Sequence, residues 1–185
     1  MKKLKIILLA NLMIIGVFVC SCKKDHNNSS KPTLYDSLGG TAMVTDPANA
    51  GAKIESGRLL IRNIVDSAIF VIAADTRING HFTVLLGEVT SGNLSGFMAL
   101  SKNITDFVCV GTGAKNFMYG GKNMVAAHDP NQNSRMNGKA TNADMDAFEG
   151  DLVIGANKAG VASNNPALAS VAKIVESLRS QVVQQ

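Results

Sequence analysis

The side chains in this sequence with the clearest capacity for coordination chemistry are its three histidines. His128 follows Met124 by four residues in the segment YGGKNMVAAH (119–128), so the two side chains would share one face of a helix. The two alanines before His128 leave room beside its ring. A neutral imidazole in this setting can bind a metal ion or the iron of a haem, and the alternative is a purely structural histidine. His26 and His81 lie in a polar segment and beside a turn.

Signatures of other chemistry are missing from the sequence. It contains no G-x-S-x-G, no P-loop, no H-E-x-x-H and no Cys-x-x-Cys. Cys109 lies in an apolar run, which predicts a buried structural thiol. Four acidic residues are expected on the exposed side of a helix, where they would be solvated rather than catalytic or calcium-binding. They are Asp144, Asp146, Glu149 and Asp151.

The first 21 residues have the features of a bacterial lipoprotein signal peptide. Three lysines precede an apolar run at 6–19, which is shorter than a typical transmembrane helix. A small residue precedes Cys22, as in sites where the cysteine is lipidated and becomes the new N-terminus; the alternative is an ordinary secretory leader. We therefore expect a lipoprotein signal peptide at 1–21, a flexible tether at 22–33 and one domain at 34–185. This places the protein in the cell envelope, anchored by lipid to a membrane.

The basic character of the chain belongs largely to this leader. The formal net charge of the whole chain is +4. Removing residues 1–21 lowers it to +1, because that segment holds three lysines and no acidic residue. No basic stripe remains elsewhere, so the composition does not favour a nucleic-acid partner.

Hydrophobic periodicity predicts an all-α domain of five or six helices with no convincing hairpin. Thr141 is a plausible N-cap, and Pro166 suits the first turn of a helix. The segment from His81 to Val89 fits a helix or a strand. The predicted helices are a turn within 34–40, 58–74, 97–110, the segment that ends at His128, 141–160 and 166–178; the predicted loops are 41–56, 90–96 and 129–139.

The order of several short motifs resembles that of group I truncated haemoglobins over roughly residues 34–183. No single motif is strong, whereas the ordered set is specific. The matching positions are LYDSLGG at 34–40, IVD through ADTR at 64–77, Leu100 with Phe107 and Gly113, YGG at 119–121 with Met124 and His128, DAF through DLV at 146–153, and NK and GV within 157–161.

This resemblance implies a truncated globin-like fold, a two-over-two helical sandwich with loop insertions. It also implies a haem held between helices, with His128 as the proximal ligand of the iron. Phe82 aligns with the family's phenylalanine that packs on the porphyrin. The other residues expected to contact the haem are Leu100, Phe107, Val108 and Met124.

The distal side departs from that family. Ile69 stands where a tyrosine usually donates a hydrogen bond to bound O₂, and Ile104 stands where its glutamine partner usually lies. The loss of a hydrogen bond to a polarised partner is worth about 1.5–3 kcal/mol, or roughly 10–150-fold in affinity. We therefore expect O₂ to bind more weakly or to dissociate faster than in members with the tyrosine, with less penalty for CO or NO. Tyr35 or His81 could supply a donor by folding back.

Three segments lengthen the chain relative to the same family: 41–57, 83–99 and 129–137. The third directly follows His128 and could disturb the proximal helix. Haem propionates bind basic or hydroxyl partners at the mouth of a pocket. The basic candidates in this sequence are Lys102, Lys115 and Lys122.

The function implied is that of a membrane-anchored globin that binds haem through His128 and O₂, NO or CO at an apolar distal site. Its role would be the binding, sensing or transfer of a gas outside the cytoplasm, rather than enzymatic turnover. One alternative is a haem enzyme on the same scaffold, either a peroxidase or an NO-detoxifying protein that needs a reductase. The other is a globin-fold lipoprotein without haem that serves as an interaction module.

Overall fold

The computed structural model describes residues 31–185. The signal peptide, Cys22, His26 and most of the tether lie outside the described residues. Within residues 31–185, no helix is both long and apolar enough to cross a membrane. The elements in chain order are α1 (Leu34–Ser37), β1 (Met43–Thr45), β2 (Lys53–Glu55), α2 (Ser56–Ala74), a 3₁₀ turn (Asn79–Phe82), α3 (Thr83–Thr90), α4 (Ser95–Gly111), α5 (Met124–His128), α6 (Asn142–Lys158), α7 (Pro166–Glu176) and α8 (Arg179–Val182).

The three longest helices, α2, α4 and α6, form the core of the domain, and α2 packs against both of the others. Apolar side chains recur along α2 every three or four residues, so they form one stripe that faces its neighbours. Where α2 meets α6, Gly155 lies directly against Ala68: a Cβ added to Gly155 would be 2.6 Å from the Cα of Ala68. The buried apolar residues of α2 are Ile61, Val65, Ala68, Ile69 and Ile72.

The segment from His81 to Val89, which fitted either a helix or a strand, is helical, because residues 79–90 form the 3₁₀ turn followed by α3. Leu85 is the buried residue of α3 and anchors this short helix to the domain. The last predicted helix, 166–178, ends two residues early as α7, and the short helix α8 beyond it was not predicted. The main chain turns after Glu176, where the N–H of Leu178 bonds to Val175 O at 3.0 Å, and α8 follows.

The prediction of a loop at 41–56 is wrong in part, because the segment forms a short antiparallel hairpin. Val44 pairs with Ile54 at its centre. The carboxylate of Asp46 accepts a backbone hydrogen bond from two residues further on at 2.9 Å. The same carboxylate receives Nη2 of Arg62, on α2, at 2.7 Å. Strands of three residues leave no periodic pattern, and this hairpin is held in place by a contact with a helix.

Tyr35 fastens α1 to the rest of the domain, and its side chain is almost fully buried. The phenol donates to Oε2 of Glu55 at 2.7 Å, while Asn116 donates to Oε1 of the same carboxylate at 2.6 Å. The backbone N–H of Tyr35 bonds to Thr112 O, at the end of α4, at 2.8 Å. The hydroxyl is therefore committed to the junction of α1, β2 and the chain after α4.

Thr141 begins α6 as predicted, since it forms a capping box with Asp144. The expectation that the acidic residues of α6 all lie on its exposed side holds only for Asp146: Asp144 and Glu149 are half-buried, and Asp151 is 1% exposed. Asp151 lies beside the ion pair of Asp75 and Arg77, with Oδ1 3.9 Å from the Arg77 guanidinium. Burial raises the pKa of the Asp151 carboxyl. This residue belongs to the contact between α2 and α6 and not to the solvated face.

Candidate functional site

A cavity of about 440 Å³ lies between the long helices, within the range of volumes found for small-molecule and cofactor pockets. Most of its wall is apolar. Helices α2, α4, α6 and α7 each contribute side chains, for example Val65, Ile104, Phe148 and Val171. Because these residues come from four separate helices, the cavity exists only when the helices are packed together.

His128 reaches this cavity from α5. Asn123 begins α5, and its side chain accepts a hydrogen bond from the backbone three residues on at 2.8 Å. Met124 and His128 both line the cavity, as expected for two side chains one helical turn apart. The loop at 129–137, which the family resemblance predicted to be an insertion, is tied back to α5, since Asn133 Nδ2 donates to Ala127 O at 2.7 Å. With this loop in place, His128 lines the cavity.

The two ring nitrogens of His128 have different surroundings. Nδ1 is 2.8 Å from Met124 O, so an N–H at Nδ1 donates to that carbonyl. With the proton on Nδ1, Nε2 keeps its lone pair. Burial lowers the pKa of His128 from its ordinary value, so the ring is neutral at pH 7. A neutral imidazole with one nitrogen fixed by a backbone carbonyl is in the state that a metal ligand requires.

His81 also lines the cavity, but both of its ring nitrogens have partners. Nδ1 is 2.8 Å from Asn137 O, and Nε2 is 3.2 Å from Oδ2 of Asp144. Its ring therefore connects the 3₁₀ turn with the loop before α6 and the start of α6. Of the two histidines at the cavity, His128 is the one whose Nε2 has no partner within residues 31–185.

Six of the residues expected to contact haem or a bound gas line the same cavity as His128. Four of them come from one face of α4, at the spacing of successive helical turns. The six are Phe82, Leu100, Ile104, Phe107, Val108 and Met124. Ile69 is placed differently: it is buried and lines a small neighbouring cavity of about 40 Å³. The structure thus brings the α4 residues and His128 together and leaves Ile69 outside the lining of the larger cavity.

Several polar side chains at the cavity were not predicted from the sequence. Asn103 lies on the α4 face that carries Leu100 and Ile104, and its helical spacing was a usable signal. Tyr119 lines the cavity, and its ring packs edge-on against Phe107 with 5.4 Å between the ring centroids. Arg135, in the loop after α5, had no local pattern that pointed to the cavity.

The lysines proposed as partners of haem propionates differ in position. Lys122 lines the cavity, and its ammonium donates to Gln132 O at 3.1 Å. Lys102 instead pairs with Asp106, one helical turn further along α4, at 2.6 Å. Lys115 is exposed and does not line the cavity. The structure therefore brings one of the three lysines to the cavity.

Cys109 is fully buried, as predicted, and it lies outside the cavity lining. Burial raises the pKa of its thiol to about 11, so the thiol stays protonated at pH 7. Within residues 31–185, no group of three or more His, Cys, Asp or Glu side chains is arranged to hold a metal ion.

The arrangement of helices is similar to that of truncated haemoglobins of known structure. The chain matches the Fe(III) form of truncated haemoglobin from Tetrahymena pyriformis with a TM-score of 0.57 and 22% sequence identity, over 83% of this chain and 100% of that chain. A tyrosine-to-phenylalanine mutant and a glutamine-to-glutamate mutant of that protein match with the same values. The predicted truncated globin fold is thereby confirmed. No protein-family model and no curated protein matches the chain.

Proposed function

We propose that this chain is a haem-binding globin of the group I truncated type, with His128 as the proximal ligand of the iron and a diatomic gas as its ligand. The observation that supports the proposal is the state of His128. It is a neutral imidazole at an apolar cavity, its Nδ1 is held by Met124 O, and its Nε2 is available. The haem iron would supply a coordination position for O₂, NO or CO.

The residues around the cavity fit a haem in their chemistry. A porphyrin has two broad apolar faces, and the wall of the cavity is predominantly apolar. Phe82 contributes an aromatic surface of the kind that packs on a flat ring. Lys122 supplies an ammonium group, which can bind a carboxylate. The apolar side chains would also exclude water from the iron.

The face of α4 supports the proposal that O₂ is held weakly. Ile104 stands at the position of the family's glutamine and lines the cavity, and its side chain has no hydrogen-bond donor. Leu100, Phe107 and Val108 surround it with further apolar surface. Bound O₂ becomes partly negative, so the lack of a hydrogen-bond donor lowers its affinity. The affinity for CO or NO, which carry little charge when bound, is lowered less.

Titration of haem into the purified chain tests the proposal. We expect one haem per chain, an intense Soret band and a ferrous form that binds CO, because a fixed imidazole and an apolar pocket together bind haem specifically. A spectrum like that of free haem at every ratio would contradict the proposal and favour the haem-free interaction module. Sustained turnover of peroxide or NO with a reductant would favour the haem enzyme.

We further propose that the domain is anchored to a membrane outside the cytoplasm through a lipid on Cys22. The support is the sequence of residues 1–21, with its basic start, its apolar run and the small residue before Cys22. Mass spectrometry of the membrane fraction is expected to find a mature chain that begins with a lipid-modified Cys22. A mature chain that begins at another residue, or one that carries no lipid, would rule out this anchor.

A further inference from the structure

We infer that Glu88 and Arg135 form a latch across the mouth of the cavity and slow the passage of whatever the cavity holds. Where the occupant is haem, the inference rests on the proposed function. The two residues belong to two of the segments, 83–99 and 129–137, that the family resemblance predicted to be insertions in this chain. The latch would thus be a feature of this chain's own insertions.

Residues 133–137, in the loop after α5, form a strap that is fastened at both ends. At its beginning, Asn133 Nδ2 donates to Ala127 O of α5 at 2.7 Å. At its other end, Asn137 Nδ2 donates to Gly80 O of the 3₁₀ turn at 3.0 Å. Arg135 lies between these two attachments. The hydrogen bonds on either side restrict the movement of its backbone and so keep its side chain at this part of the cavity.

Arg135 joins the middle of this strap to α3. Its Nη1 donates to Oε1 of Glu88 at 2.8 Å and its Nη2 to Oε2 at 2.5 Å, in the two-pronged geometry that is favourable for guanidinium and carboxylate. The Arg135 side chain lines the cavity and is also 46% exposed. A side chain with both properties lies where the cavity meets solvent, which places the ion pair at the mouth.

Gly96, in the first turn of α4, leaves the space that the ion pair occupies. It also lines the cavity. A Cβ added at this position would overlap both the carboxylate of Glu88 and the guanidinium of Arg135. The strap, α3 and the start of α4 therefore meet at one point of the rim.

The ion pair of Glu88 and Arg135 is weak enough to open spontaneously. A partly exposed ion pair contributes little free energy and is screened by salt. An occupant that leaves past Arg135 must first separate the strap from α3. The pair should therefore change the rate of passage by a small factor, without determining whether the occupant binds.

Three variants separate the latch from other roles of these residues. Arg135→Gln removes one charge, and Gly96→Ala keeps both charges while displacing the pair. The exchange of Glu88→Arg with Arg135→Glu restores an ion pair of opposite orientation. The matched control is Arg62→Gln, which breaks another two-pronged pair, that of Arg62 with Asp46, whose residues do not line the cavity.

Passage is measured as two release rates: haem from the loaded protein to excess apomyoglobin, and the neutral dye Nile red from the haem-free protein. We expect Arg135→Gln and Gly96→Ala to raise both rates roughly two- to fivefold. The exchanged pair should return them towards wild type, and Arg62→Gln should leave them unchanged. Salt of about 1 M should speed release from the wild type and have little effect on Arg135→Gln.

The two proposals fail in distinguishable ways. Equal dye release from the wild type, Arg135→Gln and Gly96→Ala would overturn the latch, whatever the haem measurements give. If haem does not bind at all, the proposed function fails, and the dye rates still decide the latch. Without haem binding, faster dye release from Arg135→Gln and from Gly96→Ala than from the wild type would still support the latch.

Discussion

Replacement of His128 by alanine is expected to abolish the spectrum of histidine-ligated haem and to weaken haem binding by more than about 100-fold. Loss of a group that merely orients a metal ligand typically costs 10- to 100-fold in affinity, so loss of the ligand itself should cost more. Visible absorption of the ferrous and CO-bound forms, together with a haem titration, measures the effect. The matched control is His81→Ala, which removes the other histidine at the cavity and should preserve the spectrum. If His81→Ala lost the spectrum and His128→Ala kept it, the ligand of the iron would be His81 and the assignment to His128 would be wrong.

Added imidazole should restore ligation in the His128→Ala protein, because the missing ring leaves space at the cavity.

Acid should weaken haem ligation as the substitution does, since a proton and a metal compete for the same nitrogen of His128. Burial lowers the folded-state pKa of His128, so the stability that depends on its neutral form is complete above the unfolded value of about 6.5. That stability is lost as the pH falls through the folded pKa.

Chemical denaturation of the haem-free protein tests this sign. The free energy of unfolding of the wild type, minus that of His128→Gln, should decrease as the pH falls below about 6.5. The glutamine variant cannot titrate at this position, so titrations elsewhere largely cancel in the difference. A difference that increases on acidification would show that the folded protein favours the charged ring.

Replacement of Gly155 by alanine is expected to destabilise the domain by about 1–3 kcal/mol. The added Cβ would lie 2.6 Å from both the Cα and the backbone nitrogen of Ala68 and 2.7 Å from its Cβ. Backbone atoms of a packed helix cannot move aside like a flexible side chain, so α2 and α6 would have to separate. The measurement is the free energy of unfolding in denaturant.

Gly150→Ala, in the same helix, is the matched control. A Cβ at Gly150 meets no atom within 4 Å, and the position is exposed. This change should stabilise the protein by about 0.5–1 kcal/mol, because alanine loses less conformational freedom in a helix than glycine does. Destabilisation of equal size by both substitutions would indicate that the close approach of α2 and α6 is not the cause.

Local periodicity was sufficient to predict the long helices. The helix predicted at 58–74 runs from Ser56 to Ala74, and the helix predicted at 97–110 runs from Ser95 to Gly111. Each carries apolar residues every three or four positions over several turns, a pattern that depends on nearby residues alone. The shared face of Met124 and His128 follows from the same local geometry.

Short elements and buried charges were not predictable in this way. The hairpin has three residues per strand and is stabilised by the pair of Asp46 with Arg62, which lie 16 residues apart. The burial of Asp151 depends on its contact with Arg77 and its neighbours. An acidic residue in a helix is usually solvated, so no local signal distinguished Asp151 from the exposed Asp146.

The sequence by itself determined the long helices, the face of α4 and the position of His128 one turn after Met124, because these depend on the spacing of nearby residues. Only the tertiary structure decided which side chains meet. It places Ile69 outside the lining of the larger cavity and joins Glu88 to Arg135, 47 residues away in the chain. Contacts of this kind depend on how the helices pack and where the loops between them cross, and periodicity along the chain carries no information about either.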